Sequence, residues 1–381
     1  MGIKETSTMT LKTKQVGVVI GLCGLWAGAA SAQSSVTLYG DIDQYLNYMS
    51  SSSGAKIKSL QDGAVLRSRI GFRGVEDIEP GLQAKFQLET GLSADTGASA
   101  DTSRLFDRQA WVGLSSSSLG EVRLGRQNTA VFTRGGHVDF SGRTLGSIVN
   151  NFGVPARYDN DVAWISPKWT GFQLEAHYAP GETTAGTGSQ AIYQFAADYS
   201  EGSFKANYAG LRAKAPKGAA VSTTVGYDNV NANYDYGSGK VYAAFVRSNN
   251  ITSSSAGNTA GSLLGGTGTL LAGTSTDANR YFNVWQLSAD YRVSPQLRVG
   301  ALYGKIVDTS SSGRGAKGGS IGAYYDLTKR TSFYGLIESM TNDTNAGYRP
   351  FGSAALSPNF SGSDVNGQKI SGAQLGVIHK F

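Results

Sequence analysis

The sequence predicts an all-β fold, a transmembrane antiparallel β-barrel of 16 strands. Three observations predict it. Successive segments alternate apolar and polar residues with a period of two, short turns alternate with long Gly/Ser/Thr/Asn-rich loops, and the last alternating segment ends on an aromatic residue, Phe381.

The chain opens on an export signal, expected to span residues 1–32. Lys12 and Lys14 precede an apolar run from Val16 to Ala27, and Ala30, Ser31 and Ala32 form a small-residue cleavage site. The mature domain, 33–381, is expected to begin at Gln33. Translation from Met9 gives a more ordinary signal length than translation from Met1, and both starts stay open. Cys23, the single cysteine, falls inside the signal. Its use as a lipid anchor is disfavoured by the bulky Leu22 beside it. The mature chain therefore has neither a disulfide nor a thiolate metal site, and no cofactor or metal is expected.

After Ala32 no stretch approaches the roughly 18 apolar residues of a membrane helix. Fifty-one glycines, eight prolines, nineteen tyrosines and a mean hydropathy of −0.22 describe a polar, turn-rich chain with thinly spread apolar residues. A barrel wall needs no more, because only alternate residues meet lipid. Removing Lys4, Lys12, Lys14 and Glu5 from 34 basic and 28 acidic residues leaves 31 and 27, a net of +4. Such a mild excess implies no nucleic-acid partner.

Period two is explicit along the chain. Val36, Leu38, Gly40 and Ile42 share one face, and Thr37, Tyr39, Asp41 and Asp43 the other. Ser68, Ile70 and Phe72 alternate with Arg67, Arg69, Gly71 and Arg73, and Ala84, Phe86 and Leu88 with Gln83, Lys85, Gln87 and Glu89. A soluble sandwich also alternates. Length and repetition discriminate: segments of about ten residues suit a tilted membrane crossing and recur to the end with no helical domain between them. In a bilayer every backbone polar group is paired within the protein, so the sheet must close.

Short turns are expected at residues 79–81, 116–120, 169–171, 201–203, 238–239, 294–296 and 329–331. Long loops are expected at 50–63, 93–103, 131–155, 180–189, 249–279, 309–319 and 342–367, which sets short turns on the periplasmic side and long loops outside. Counting segments gives 16 strands, with residues 211–233 the least defined and 18 the nearest alternative. Either number leaves an aqueous interior. Trp111, Trp164, Trp169 and Trp285 suit aromatic girdles at headgroup depth. At the end of the chain, Leu375, Val377, His379 and Phe381 alternate with Gln374, Gly376, Ile378 and Lys380. That ending resembles the signal read by the outer-membrane barrel assembly machinery.

The strings SSVTLYGDID, SRIGFRGVEDIEPGLQAKFQLE, FDRQAWVGLSS, GEVRLGRQ, RYDND, LTKRTSFYG and GVIHKF run in order through nearly the whole mature chain. Together they resemble the general diffusion porins of Gram-negative bacteria, in particular the betaproteobacterial type. The resemblance implies a homotrimer among outer-membrane lipids and lipopolysaccharide, a third extracellular loop folded into the pore, and passive diffusion of small hydrophilic solutes and ions. Three departures stand out: the third loop lacks an acidic cluster, Ile378 stands where arginine is common, and WISPKWTGF is divergent.

A channel of this kind selects by width and field rather than by chemistry. Arg69 is placed in the lumen by alternation. By resemblance, Arg69, Arg126 and Arg157 form an arginine cluster opposite the third loop. Alternation supports Arg157, which shares a face with Asp159 and Asp161, but points Arg126 outward with Val122 and Leu124 unless a bulge re-aims it. The loop adds Arg134, His137, Asp139 and Arg143, so the expected constriction is positive on both sides and weakly anion-preferring. Asp41, Asp43 and Glu89 on lumen faces oppose that preference.

Two other classes compete. A barrel enzyme needs a nucleophile and base on neighbouring strands, yet only His137, His177 and His379 are available, and the GxSxG match at Gly318 to Gly322 lies where a strand begins rather than at an elbow. A specific sugar channel would need an ordered lumen slide of aromatics beyond Tyr39 and Tyr45, and an adhesin a marked loop.

Overall fold

The computed structural model describes residues 35–181, 191–214, 224–249, 281–354 and 356–381. The signal with Cys23, the start at Gln33 and most of the loops at 180–189 and 249–279 lie outside these residues.

One antiparallel sheet contains β1 (Ser35–Ser51), β2 (Lys56–Asp62), β3 (Arg69–Glu79), β4 (Leu82–Ser93), β5 (Ala98–Ser99), β6 (Gln109–Ser116), β7 (Gly120–Asn128), β8 (Arg157–Ile165) and β9 (Phe172–Ala179). It continues with β10 (Ile192–Glu201), β11 (Phe204–Ala213), β12 (Val225–Asp235), β13 (Gly239–Ser248), β14 (Phe282–Arg292), β15 (Leu297–Asp308), β16 (Ala316–Asp326), β17 (Thr331–Asn342) and β18 (Lys369–Lys380). Pairing of β1 with β18, from Asp41↔Lys380 to Ser51↔Ile370, closes the sheet and removes its edges. No helix of the described residues is long and apolar enough to cross a membrane.

The 18 segments occupy 16 wall positions. The two-residue β5 only pairs with the end of β4, in the second long loop. β2 and β3 share one position beside β1, β2 against Gln44 to Ser50 and β3 against Ser35 to Asp41. The break at 63–68 is held by the Asp43 carboxylate, which accepts the Val65 and Leu66 N–H groups at 2.7 and 2.8 Å, while Asp43 N–H donates to Ser68 Oγ. The loop expected at 50–63 is thus a tight hairpin followed by β2. A carboxylate capping two backbone N–H groups stabilises an interruption that alternation does not register.

All seven expected short turns separate consecutive strands, and the eighth periplasmic junction is the meeting of β1 with β18. The outward face is apolar and exposed: Val36 is 68% accessible, Leu46 62% and Leu375 62%, whereas Asp43, Asn47 and Gln374 behind them are buried. A soluble sheet would bury the first set and expose the second. Trp164, Trp169 and Trp285 are exposed on the outside, but Trp111 is a lumen residue. It is buried, with its Nε1–H on Gln109 Oε1 and Arg123 stacked on its ring, because Val112 and Leu114 take the lipid side.

Candidate functional site

The third long loop leaves β7 at Asn128 and returns at Arg157, and between them it folds into the barrel. Its sequence explains why. Val131, Val138, Phe140, Leu145, Ile148, Val149 and Phe152 are all buried, an apolar content that could not be left in water. The density of such residues between Val131 and Phe152 was the available sequence signal for an internal loop.

Three sets of polar contacts fix the loop to the wall. At its start, Thr129 caps a short helix, Ala130–Thr133, by accepting Phe132 N–H, and Gln194 accepts Ala130 N–H at 2.9 Å. Arg134 follows, with Nη1 2.9 Å from Glu175 and Nε and Nη2 on the two Asp198 oxygens. Burial works against the cation, but Glu175 and Asp198 more than offset it and raise its pKa. Glu175 also meets His177 Nε2 at 2.6 Å, and His177 Nδ1 meets Asp161 at 2.6 Å.

In the middle, Asp139 accepts Ser141 and Arg143 N–H groups at 2.9 and 3.0 Å, tightening a turn in which Gly142 and Arg143 have φ of 71° and 61°. Its second oxygen accepts Ser147 Oγ–H and Gln286 Nε2–H. Phe140 donates its N–H to Ser288 and sets its ring edge-on to Tyr324, 6.2 Å away. At the far end, helix Ile148–Phe152 starts from Ser147, with Gln286 Oε1 accepting Ile148 N–H at 2.6 Å. Asn150 and Asn151 bind the backbone of the last long loop at Phe351, and Phe152 packs on Tyr227, Phe282 and Tyr348.

Opposite stands the arginine face. Arg69 pairs with Asp41 at 3.1 Å and Arg108 with Glu89 at 2.6 Å, while Arg126 and Arg104 share Asp159 at 2.6 and 2.8 Å. Arg126 is inside because β7 bulges: the β7–β8 register shifts between Gly125 and Gln127, and Gly125 has a φ of +130° with no room for a Cβ, which would sit 2.3 Å from Ala110 O. The bulge overrides the outward placement that strict alternation gives Arg126.

Arg157 has electrostatic neighbours in Arg108, Arg126 and Arg69 as well as Glu89. Its guanidinium lies 4.8 Å from the Phe132 ring centroid, and that of Arg143 lies 4.4 Å from the same ring. Nε and Nη2 of Arg157, and Nε and Nη1 of Arg143, have no hydrogen-bond partner among the described residues. Burial pushes Arg143 down to about 10, which still leaves it cationic at neutral pH. Phe132 thus gathers a wall arginine and a loop arginine, a contact worth about 2 kcal/mol when desolvated.

The structure therefore divides the expected constriction residues. Arg69, Arg126 and Arg157 come together on one wall, and Arg143 joins them from the loop. Arg134 and Asp139, expected to face the channel as free charges, are held by wall partners and serve as anchors; the expected positive loop side reduces to Arg143. Arg104, Arg108, Glu175 and Asp198 escaped the sequence reading, Arg104 and Arg108 because they precede β6 where alternation has not begun, and Asp161 and His177 were named there without their pairing to each other. Ser320 of the GxSxG match sits within β16, and its hydroxyl has no hydrogen-bond partner among the described residues.

A family model described as Gram-negative porin matches residues 18–345. An outer membrane porin protein of Bordetella pertussis is 31% identical over 365 residues, covering 84% of this chain and 92% of the relative. Outer membrane porin protein 32 of Delftia acidovorans is 25% identical over 374 residues, 93% of this chain and 96% of its own. Among solved structures, an anion-selective porin from Comamonas acidovorans superposes with a TM-score of 0.73 at 23% identity, over 92% of this chain and 100% of that one.

Proposed function

This chain belongs to the Gram-negative porin family and forms an outer-membrane channel for passive diffusion of small hydrophilic solutes, and from that premise we propose that its constriction weakly prefers anions. The observation that carries the reading is the pairing pattern around Phe132. Arg104 and Arg126 share Asp159, with Asp101 a further 3.7 Å from Arg104, and Arg143 and Arg157 have no carboxylate in hydrogen-bond contact, so cations outnumber their partners where the loop meets the wall.

A fixed charge acts most where the pore is narrow. At physiological salt the Debye length is about 8 Å, so the vestibules are screened while the constriction is not. A basic eyelet between low-dielectric walls concentrates anions even in a chain with so small a net charge. The preference is weak because Asp41, Glu89 and Asp159 neutralise the other arginines in place. The Comamonas acidovorans porin that this chain resembles in fold is described as anion-selective, in keeping with this reading.

The same proposal extends to biogenesis and assembly. Residues 1–32 are removed on export, residues 33–381 form the mature barrel, Phe381 belongs to the signal read by the assembly machinery, and three copies associate in the membrane. A Vibrio cholerae neighbour is described in a trimer form, which supports the last point.

Planar-bilayer recording tests the selectivity. In a KCl gradient the reversal potential is expected to carry the sign of a modest anion preference. A cation-selective channel would show that the lumen carboxylates, not Arg143 and Arg157, control the field.

A further inference from the structure

Beneath the start of the internal loop the lumen holds a polar pocket of about 490 Å³. Thr133, Arg134 and His137 of the loop line it from one side, and Lys168, Gln173 and Lys205 from the barrel wall. It lies at the short-turn end of the barrel, since Lys168 adjoins the turn at 169–171 and Lys205 the turn at 201–203. Alternation sets Lys205 inside: its cross-strand partners, Ser200 on β10 and Asn233 on β12, share its face with the partnered Asp198 and Asn207. Neither Phe132, Arg143 nor Arg157 lines this pocket.

The carboxylates of the pocket are already engaged. Glu121 accepts from Lys85 at 2.9 Å and from Arg123. Glu175 lies 2.9 Å from Arg134 and 2.6 Å from His177, and Asp198 accepts from both Nε and Nη2 of Arg134. Lys168, Lys205 and the His137 ring have no ion pair or side-chain hydrogen bond among the described residues. Three groups able to carry positive charge are thus left around one polar space. Burial first, and then the cation of Lys205, hold His137 below the usual imidazole range; Lys240 and Arg134 add to the effect and Asp198 opposes it. The remaining charged groups around the ring are Glu121 and Arg123 on β7, Lys168 after β8, and Glu175 with His177 behind it on β9. β12, packed against this turn of the loop, presents Asn229, Asn231 and Asn233 ahead of Asp235, which pairs with Lys240 at 3.7 Å.

We propose that this pocket is a second anion site, on the periplasmic side of the internal loop, which takes small divalent oxyanions after they pass the constriction. Lys168 and Lys205 supply the standing charge, and His137 adds a third when it is protonated. Like charges around one space repel, and an anion placed between them turns that repulsion into attraction, with a divalent ion gaining about twice what chloride gains. The site therefore discriminates by charge in a part of the pore too wide to discriminate by size. Anion and proton reinforce each other here, because the anion offsets Lys205 and lets His137 hold its proton. The inference rests on the porin reading for its sidedness and for the arrival of anions, but its residues are not those of the constriction.

The test uses the full mature protein in planar bilayers carrying a KCl current, with potassium sulfate added on the side of the short turns and KCl of equal ionic strength as the control. Sulfate stays divalent from pH 7 to pH 5, so a change of its effect over that range belongs to the protein. Sulfate is expected to reduce the chloride current in a saturable way. Lys205→Gln is expected to weaken this block about tenfold, near the low end for a hydrogen bond to a charged group, and Lys205→Arg to preserve it. The block is expected to strengthen from pH 7 to pH 5 in wild type and to stay level in His137→Gln. Equal block of wild type and Lys205→Gln overturns the proposal. So does a block that survives in the double variant Lys168→Gln, Lys205→Gln but disappears in Arg143→Ala, which would place the anion in the constriction. A pH response shared by wild type and His137→Gln overturns the proton linkage and removes His137 from the site. The reversal potential in KCl without sulfate reads the constriction separately. A cation-preferring wild type that still shows the block would count against the constriction reading alone, and an anion-preferring wild type without the block against this site alone.

Discussion

Phe381, the last residue, lies on Gly40 of the first strand: Phe381 N–H donates to Gly40 O at 3.0 Å, Gly40 N–H donates back at 3.2 Å, and the ring covers the glycine so closely that a Cβ would stand 2.4 Å from its Cζ. The terminal aromatic therefore extends the β1–β18 seam as well as ending the chain. Gly40→Val is expected to lower the stability of the folded barrel by about 1–3 kcal/mol through overpacking. Deleting Phe381 is expected to cut outer-membrane yield more than it lowers the unfolding temperature of the barrels that do form. Heat-modifiable gel mobility and quantified membrane fractions measure both. Full yield from the deletion would separate the seam contact from any role in assembly.

Arg134→Ala should loosen the start of the internal loop. It leaves Glu175 and Asp198 without their shared cation, and breaking such a buried pair costs about 3–5 kcal/mol. Single-channel traces are expected to show frequent brief closures, with the open-state conductance little changed. Traces as quiet as wild type would mean that Gln194 and Gln286 hold the loop unaided.

Arg157→Ala and Arg143→Ala should each shift the reversal potential in a KCl gradient toward cations, and Asp159→Asn should shift it toward anions, because Asp159 offsets Arg104 and Arg126. Shifts of opposite sign in either set would place the controlling charges elsewhere.

Gly125→Ala is expected to reproduce part of the Arg126→Ala phenotype. Alanine at a φ of +130° costs on the order of 1–3 kcal/mol, and its Cβ collides with Ala110 O. Relief flattens the bulge and draws Arg126 away from Asp159. A Gly125→Ala channel with wild-type selectivity and stability would show that Arg126 keeps its place without the bulge.

His137, half-buried on the loop, is held below the usual imidazole range by burial first and by Lys205 next. A cation disfavoured in the folded loop costs stability as pH falls through the unfolded value of about 6.5 and on toward the lower folded one. Acidification from pH 7 to 5 is therefore expected to increase loop closures, less so in His137→Gln. An identical pH response in the two channels would assign the effect to other groups.

The sequence by itself determined the barrel. Each wall face meets one solvent, so every strand records its orientation as a period of two, and short turns with Gly81 or Gly202 record where the chain reverses. Arg69 and Arg157 were legible for that reason. Where periodicity is interrupted the rule has nothing to read, and only the tertiary structure decided the outcome: Asp43 caps the break that creates β2, the bulge at Gly125 turns Arg126 inward, and Arg104 and Arg108 reach Asp159 and Glu89 from before β6. The loop charges were least legible. Arg134 and Asp139 look alike as loop charges to Arg143 in sequence, yet partners some sixty and more than a hundred positions away, Asp198 and Gln286, take up the first two and leave Arg143 to Phe132. Long-range pairing of this kind depends on which strands the closed barrel sets opposite the loop, and no local pattern encodes it.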